Sequence, residues 1–320
     1  MKVEITKDFE RGLETILNLK EAYFKNTFFN FTNVPDEILP SGMTRASNEH
    51  LLFLTFVSSI AYLRKEEQLW SAARLTWEDP STRYVFNPQE VLETDIEKLE
   101  KDLYKYNLFE DIIQARKWSV GNILIKDQRR SRENDIVIWK SMAKILREHE
   151  SNVYKLFKNL NNDAFRIIEV FLSDEYSKCF PEYHKKMKIV VWLTRIHRNS
   201  ELLLKNIDKL SVPIDLHIIR ATFMSGSITG KVNSIDTNLE ELCSDFWMEV
   251  YEQEKDKIKM FPVEFELFLW VLGKYGCSIS RNDKICRFKN VCPIGDKCSM
   301  GHIEMLDGYT KIEIIKNENR

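Results

Sequence analysis

Four of the chain's six cysteines, Cys277, Cys286, Cys292 and Cys298, fall in one short segment with eight, five and five residues between them. Thiolate sulfur is a ligand for zinc and for iron–sulfur clusters, because both centres are soft enough to prefer it. Four thiolates on a loop-rich segment can close round one centre without a hydrophobic core. Lys284, Arg287, Lys289 and Lys297 are interleaved with them and would offset the negative charge of such a centre. Two metal readings stay open. One is a four-cysteine iron–sulfur cluster. The other drops Cys277 and takes Cys286, Cys292, Cys298 and His302 as a zinc site, with three residues between the last two. A set of buried free thiols is the bland alternative, and clustering argues against it.

A second candidate lies upstream. Val212-Pro213-Ile214-Asp215-Leu216-His217-Ile218-Ile219-Arg220 puts an acid at the start of a helix whose apolar positions would pack inward. Aspartate is favoured at a helix N-cap, so a purely local role for Asp215 is the plain reading. His217 reads as a packed residue beside it.

The elements that must hold these residues read as helices. Length suggests about two domains, and 43% hydrophobic with 30% charged residues is globular composition. Apolar residues recur at helical spacing over 9–26, in two stretches between Asn48 and Glu78, from Pro88 to Asn161, over Asp163–Ser173 and over Lys185–Arg198. Within these, the helical pattern includes Ile136–Phe157, and Pro80 and Pro88 read as closing the unit before them. Leu202–Ile207, the helix through Met224, Leu239–Tyr251 and Pro262–Tyr275 continue the pattern, and only Lys311–Ile315 alternates like a strand. The expected class is all-α. Its parts are an N-terminal helical extension (1–47), a helical region of two subdomains (48–275), a cysteine loop (276–303) and a tail (304–320). The N-terminus lacks a signal-peptide core and the longest apolar stretch, Leu51–Leu63, is too short to span a bilayer. The expectation is an intracellular protein, cytoplasmic or nucleoid-associated, with no membrane partner. A net charge of −2 excludes binding nucleic acid by bulk positive charge but not by a local basic face.

The Asp215 segment and the run Phe268-Leu269-Trp270-Val271-Leu272-Gly273-Lys274-Tyr275-Gly276-Cys277 occur in an order that resembles the helix-hairpin-helix superfamily of DNA glycosylases, endonuclease III in particular. There a Val-Asp-x-His-x-x-Arg segment supplies the catalytic aspartate, and a Gly-(Arg or Lys)-Tyr-x-Cys segment opens a four-cysteine iron–sulfur loop. Cys292-Pro293-Ile294-Gly295-Asp296-Lys297-Cys298 looks like the end of that loop. The resemblance covers about residues 212–300. Two features depart from the family. Five residues separate Cys286 from Cys292, a longer gap than in endonuclease III, and residues 199–211 contain no counterpart of the glycine-rich hairpin. Tyr183-His184-Lys185-Lys186-Met187-Lys188 before an apolar helix looks more like the archaeal 8-oxoguanine glycosylases, which carry an upstream catalytic lysine.

The resemblance implies a helix-hairpin-helix glycosylase-like fold and a DNA N-glycosylase acting as a monomer on double-stranded DNA with a damaged or mismatched base, 8-oxoguanine being the first guess. Asp215 would stabilise positive charge on the sugar. Lys188 would form a Schiff base and add strand cleavage, with Lys185 and Lys186 as second choices. Cys277, Cys286, Cys292 and Cys298 would hold a 4Fe-4S cluster, with zinc the alternative. Lys126, Arg129, Arg130 and Arg132 form a basic run that, with Lys185 and Lys186, would contact phosphates. Trp192, Trp270, Phe268, Trp70 and Trp77 are available to hold an extruded base. Two other readings remain: a non-catalytic zinc-finger protein that binds RNA, and a hydrolase of a modified nucleoside or tRNA base on the same fold.

Overall fold

The computed structural model describes residues 4–28, 34–62, 64–109, 119–120, 123–124, 132–182, 184–232, 237–277, 286, 288–295, 298 and 303–305. In chain order these form β1 (Glu4–Lys7), α1 (Phe9–Lys25), α2 (Asn48–Ser59), α3 (Glu66–Glu78), α4 (Pro88–Glu93), α5 (Ile96–Tyr104), β2 (Ser119–Val120), β3 (Ile123–Leu124), α6 (Arg132–Glu148), α7 (Val153–Asn159), α8 (Ala164–Leu172), α9 (Lys185–Asn199), α10 (Leu216–Met224), β4 (Ile228–Val232), α11 (Leu239–Ile258), α12 (Phe265–Val271) and β5 (Ile303–Met305). The chain is mostly helical, and no helix among the described residues is long and apolar enough to cross a membrane.

Two compact units are present. The central unit holds Pro35–Arg116 and Lys126–Ile207. The terminal unit is assembled from Met1–Val34, Lys117–Ile125 and Asp208–Arg320. Residues 1–47 therefore do not form a separate extension. Helix α1 joins the C-terminal helices because its buried stripe (Ile16, Leu19, Ala22) packs against α11 and α12. Gly12 sits in that seam, where an added Cβ would lie 2.7 Å from the Phe246 ring.

In the central unit α2 is the core. Ten of its twelve residues are buried, so it lacks a polar face and is wrapped by α6, α7 and α9. Trp192 of α9 is fully buried and its indole N–H donates to Thr55 Oγ1 at 3.0 Å, which satisfies the one polar atom such a ring brings inside. Asp36, Arg195 and Arg198 form a buried ion group there, with Arg195 also 5.2 Å from the Trp70 ring.

The structure corrects several expectations. The run from Ile136 to Phe157 is two helices, because Glu150 and Ser151 take left-handed backbone angles between α6 and α7. Pro88 does not close a unit. It occupies the first turn of α4, where its missing N–H costs nothing. Leu202–Ile207 is not helical: Lys205 pairs its backbone with Asn162 and Ala164, and Asn206 is left-handed. The all-α expectation also missed a small sheet. In it β4 pairs antiparallel with β1 and parallel with β5, in the order β1-β4-β5. The strand expected at Lys311–Ile315 lies outside the described residues.

Cys179 and Cys243, the two cysteines away from the cluster, are fully buried. Burial pushes both thiols up to about 12. An unfolded thiol ionises near ~8.5. Both groups therefore contribute stability that is fully present below that pH and is lost as pH rises towards 12. We expect maleimide at pH 8 to leave Cys179 and Cys243 unmodified in the folded chain and to label them in denaturant, as read by peptide mass. Labelling in the folded state would contradict this placement.

Candidate functional site

All the residues of the Asp215 segment and the cysteine segment belong to the terminal unit. Asp215 is the N-cap of α10. Its Oδ1 accepts hydrogen bonds from the His217 amide at 2.8 Å and the Ile218 amide at 3.0 Å. Behind it, Val212 and Ile214 are buried in the hydrophobic core, so the turn that carries the half-buried carboxylate is anchored from below.

Five residues later the Arg220 side chain, 3% exposed, lies under the turn. Its Nη1 is 3.0 Å from both the Gly273 carbonyl oxygen and His217 Nδ1. Donation to Nδ1 requires the His217 tautomer protonated on Nε2. Gly273 begins the contact from the other side. It lies in the π-helical turn Leu272–Cys277 that continues α12, and a Cβ there would lie 1.9 Å from the His217 carbonyl oxygen. Only glycine lets these backbones meet. The Asp215 turn is thus fixed directly to the segment that ends in Cys277.

Cys277, Cys286, Cys292 and Cys298 line one small cavity of about 20 Å³, walled by Met224, Leu272, Phe288 and Ile294. Tight turns deliver them. The Cys292 amide donates to the Phe288 carbonyl at 2.7 Å, and the Gly295 amide to the Cys292 carbonyl at 2.9 Å. Gly295 is required there, since a Cβ would lie 1.9 Å from the Lys289 carbonyl oxygen. Asn18 Nδ2 of α1 holds the Pro293 carbonyl at 3.2 Å, and the Cys298 thiol donates to the Met224 carbonyl at 3.0 Å.

Burial, reinforced by the neighbouring cysteines, pushes the Cys277 thiol well above its ordinary range, while Arg220 pulls it back. Burial likewise raises Cys292 to about 12. Protons on these thiols would have to be exchanged for a cation before they could act as ligands. An all-sulfur donor set with apolar walls and an adjacent guanidinium suits a thiolate-held centre. Among the described residues no three His, Cys, Asp or Glu side chains are gathered so that they could hold a single metal ion. His302, the alternative zinc ligand, lies outside the described residues.

The other expected site residues divide. Lys188 is half-buried in the first turn of α9, in the central unit. Lys185 is committed to Glu182 at 2.5 Å and Lys186 is exposed. Lys126, Arg129 and Arg130 lie outside the described residues, as does the side chain of Arg132. Of the aromatics considered for a base, Trp192, Trp70, Trp77 and Phe268 are at most 8% exposed and belong to the cores. These four are therefore core side chains, as large aromatics usually are. Trp270 is the half-buried one. It stands edge-on to His217 at 5.9 Å and to Tyr275 at 5.6 Å, with Lys274 Nζ 4.3 Å from its ring centre. Lys274 was not among the expected site residues. Its distance from Trp270 along the chain was the available signal.

A larger cavity of about 480 Å³ opens in the central unit among Asn48, Glu49, Trp77, Arg83, Tyr84 and Glu90. Apart from Trp77 its lining includes none of the candidate site residues named from the sequence. No protein-family model matches the chain, and a search of the curated proteins finds no match.

Proposed function

We propose that this chain is a DNA N-glycosylase of the helix-hairpin-helix type that removes a damaged or mismatched base from double-stranded DNA as a monomer within the cell. An oxidised purine such as 8-oxoguanine is the first substrate to test. One observation supports this reading above the others. Four cysteines of one short segment line one cavity, and Arg220 and Gly273 tie that cavity's first cysteine to the Asp215 turn.

Asp215 would act through its carboxylate. Two amide bonds to Oδ1 fix its rotamer, and Oδ2 would be the oxygen to face a substrate sugar. As the glycosidic bond breaks, positive charge grows on the sugar, and a pre-positioned carboxylate stabilises it without having to reorganise. Lys188 would supply the amine for strand cleavage from its half-buried place in the first turn of α9. Cys277, Cys286, Cys292 and Cys298 would hold a 4Fe-4S cluster, with zinc the alternative. That centre, when bound, supplies a structural closure of the loop, and Lys289 and Asn290 would be presented on its exposed side.

Asp215→Asn tests the reading cleanly, because asparagine caps a helix as well as aspartate does. The fold should be kept while release of a damaged base from duplex DNA falls by about 100-fold or more. Lys188→Ala should abolish borohydride trapping on the same DNA. A brown colour and iron content would support the cluster over zinc.

One observation favours a second reading. Oδ1 of Asp215 is already fully used as a helix cap. A nucleic-acid-binding protein without catalysis would need nothing more of it. No base release by the parent chain across a panel of lesions would favour that reading, whereas unchanged release in Asp215→Asn would move the catalytic carboxylate elsewhere.

A further inference from the structure

The surface beside the Asp215 turn carries an unusual side-chain group. In an α-helix, residues four apart are neighbours while residues five apart diverge. The π-helical turn Leu272–Cys277 winds more slowly, so Tyr275 joins Lys274 on the same side as Trp270. Lys274 Nζ lies 4.3 Å from the Trp270 ring centre and 5.2 Å from that of Tyr275. All three side chains remain partly exposed. The close contact of Gly273 with His217 and the Arg220 bonds prevent this group from moving independently of Asp215.

We propose that Trp270, Lys274 and Tyr275 form a docking platform for an unpaired nucleotide, the base stacking on the Trp270 ring, which stands at right angles to Tyr275, and Lys274 taking its phosphate. The platform's own lysine fills the cation position over both rings, which disfavours a cationic ligand. What remains attractive is a flat π-system that carries negative charge, and a nucleotide has both. Base stacking on aromatic side chains is tolerant of sequence. The proposal deepens the glycosylase reading by naming where the strand rests, although binding can be measured without catalysis.

The test uses the full chain with fluorescein-labelled single-stranded DNA, RNA of the same sequence, and the DNA duplex. Trp270→Leu keeps apolar volume and removes the ring. The expected result is a Kd for single-stranded DNA raised about tenfold, equivalent to about 1.4 kcal/mol. Lys274→Ala should reduce the slope of log Kd against log salt by about 0.7, as expected for one lost phosphate contact on a single strand. Equal weakening for RNA identifies a general nucleotide platform, and weakening confined to DNA identifies a DNA-strand platform.

Both variants binding with parental Kd and parental salt slope would overturn the proposal. So would a parental chain that binds none of the three. Asp215→Asn separates the two ideas: base release lost with single-strand binding kept leaves the platform standing on its own. A parental chain that binds through Trp270 but releases no base would sink the glycosylase and leave the platform intact.

Discussion

Asp36→Ala should destabilise the central unit by about 3–5 kcal/mol, the cost of stripping one partner from a buried ion group. Asp36 is 7% exposed, and its Oδ2 accepts from Arg195 Nε at 2.8 Å and from Arg198 Nη2 at 3.1 Å. Arg195 also has Glu66 Oε2 at 3.7 Å and Ser58 Oγ at 3.5 Å, and Glu66 accepts the Trp70 indole N–H at 2.7 Å. Two guanidiniums thus face two carboxylates in a space largely shut from water. Removing Asp36 leaves two positive charges against one negative. Asp36→Asn should cost nearly as much, since it keeps shape and loses charge. Replacing Asp36 and Arg195 together by leucine and methionine should cost less than the Asp36 change alone.

The same group gives a pH dependence. Burial opposes ionisation of Asp36, but Arg195 and Arg198 outweigh it and hold the carboxyl below the ordinary aspartate range. A depressed carboxyl contributes stability that is present above the unfolded value near ~3.9 and is lost as pH falls through the folded one. Urea melts of the parent chain should therefore weaken below pH 4, and those of Asp36→Asn should weaken less. Matching acid slopes would remove Asp36 as the cause.

Much of the helical architecture is legible in the residue pattern, because an amphipathic helix writes its burial into the sequence. Helices α1, α3, α8 and α9 begin or end within a residue or so of where apolar spacing and caps place them. The strands were not legible. Glu4–Lys7 is four residues long, and its pairing with Ile228–Val232 depends on a contact between distant parts of the chain. The leucines at 202–204 suggested a helix, but backbone partners at Asn162 and Ala164 draw the segment out straight. The assembly of α1 with α11 and α12 is likewise a long-range packing result.

At the candidate site, Asp215, Arg220 and the four cysteines could be named from spacing. Their connection could not, because it runs through the main chain of Gly273, and nothing in a residue list tells a glycine in a loop from one touching another backbone. The tryptophans could not be ranked for a related reason. Their type predicts burial on average but not which one stays at the surface, and Trp270 is distinguished only by the π-helical turn after it.

Gly273→Ala is the sharpest test of that connection. The substitution would place a methyl group 1.9 Å from the His217 carbonyl oxygen and 2.6 Å from its carbon. These are backbone atoms, so no side chain can swing aside, and the π-helical turn must move off α10. Moving it breaks the bond from Arg220 Nη1 to the Gly273 carbonyl and leaves a buried guanidinium short of an acceptor. Overpacking of this kind costs about 1–3 kcal/mol, and a lost buried bond to a charged donor costs about 1.5–3 more. The expected loss is therefore about 4 kcal/mol, read as a lower urea midpoint. Gly42→Ala supplies the contrast. Gly42 has a φ of +77° but no atom within 4 Å of the added Cβ, so only backbone strain of about 1–2 kcal/mol should appear. If the two substitutions cost the same, the backbone contact at Gly273 is not what holds the Asp215 turn.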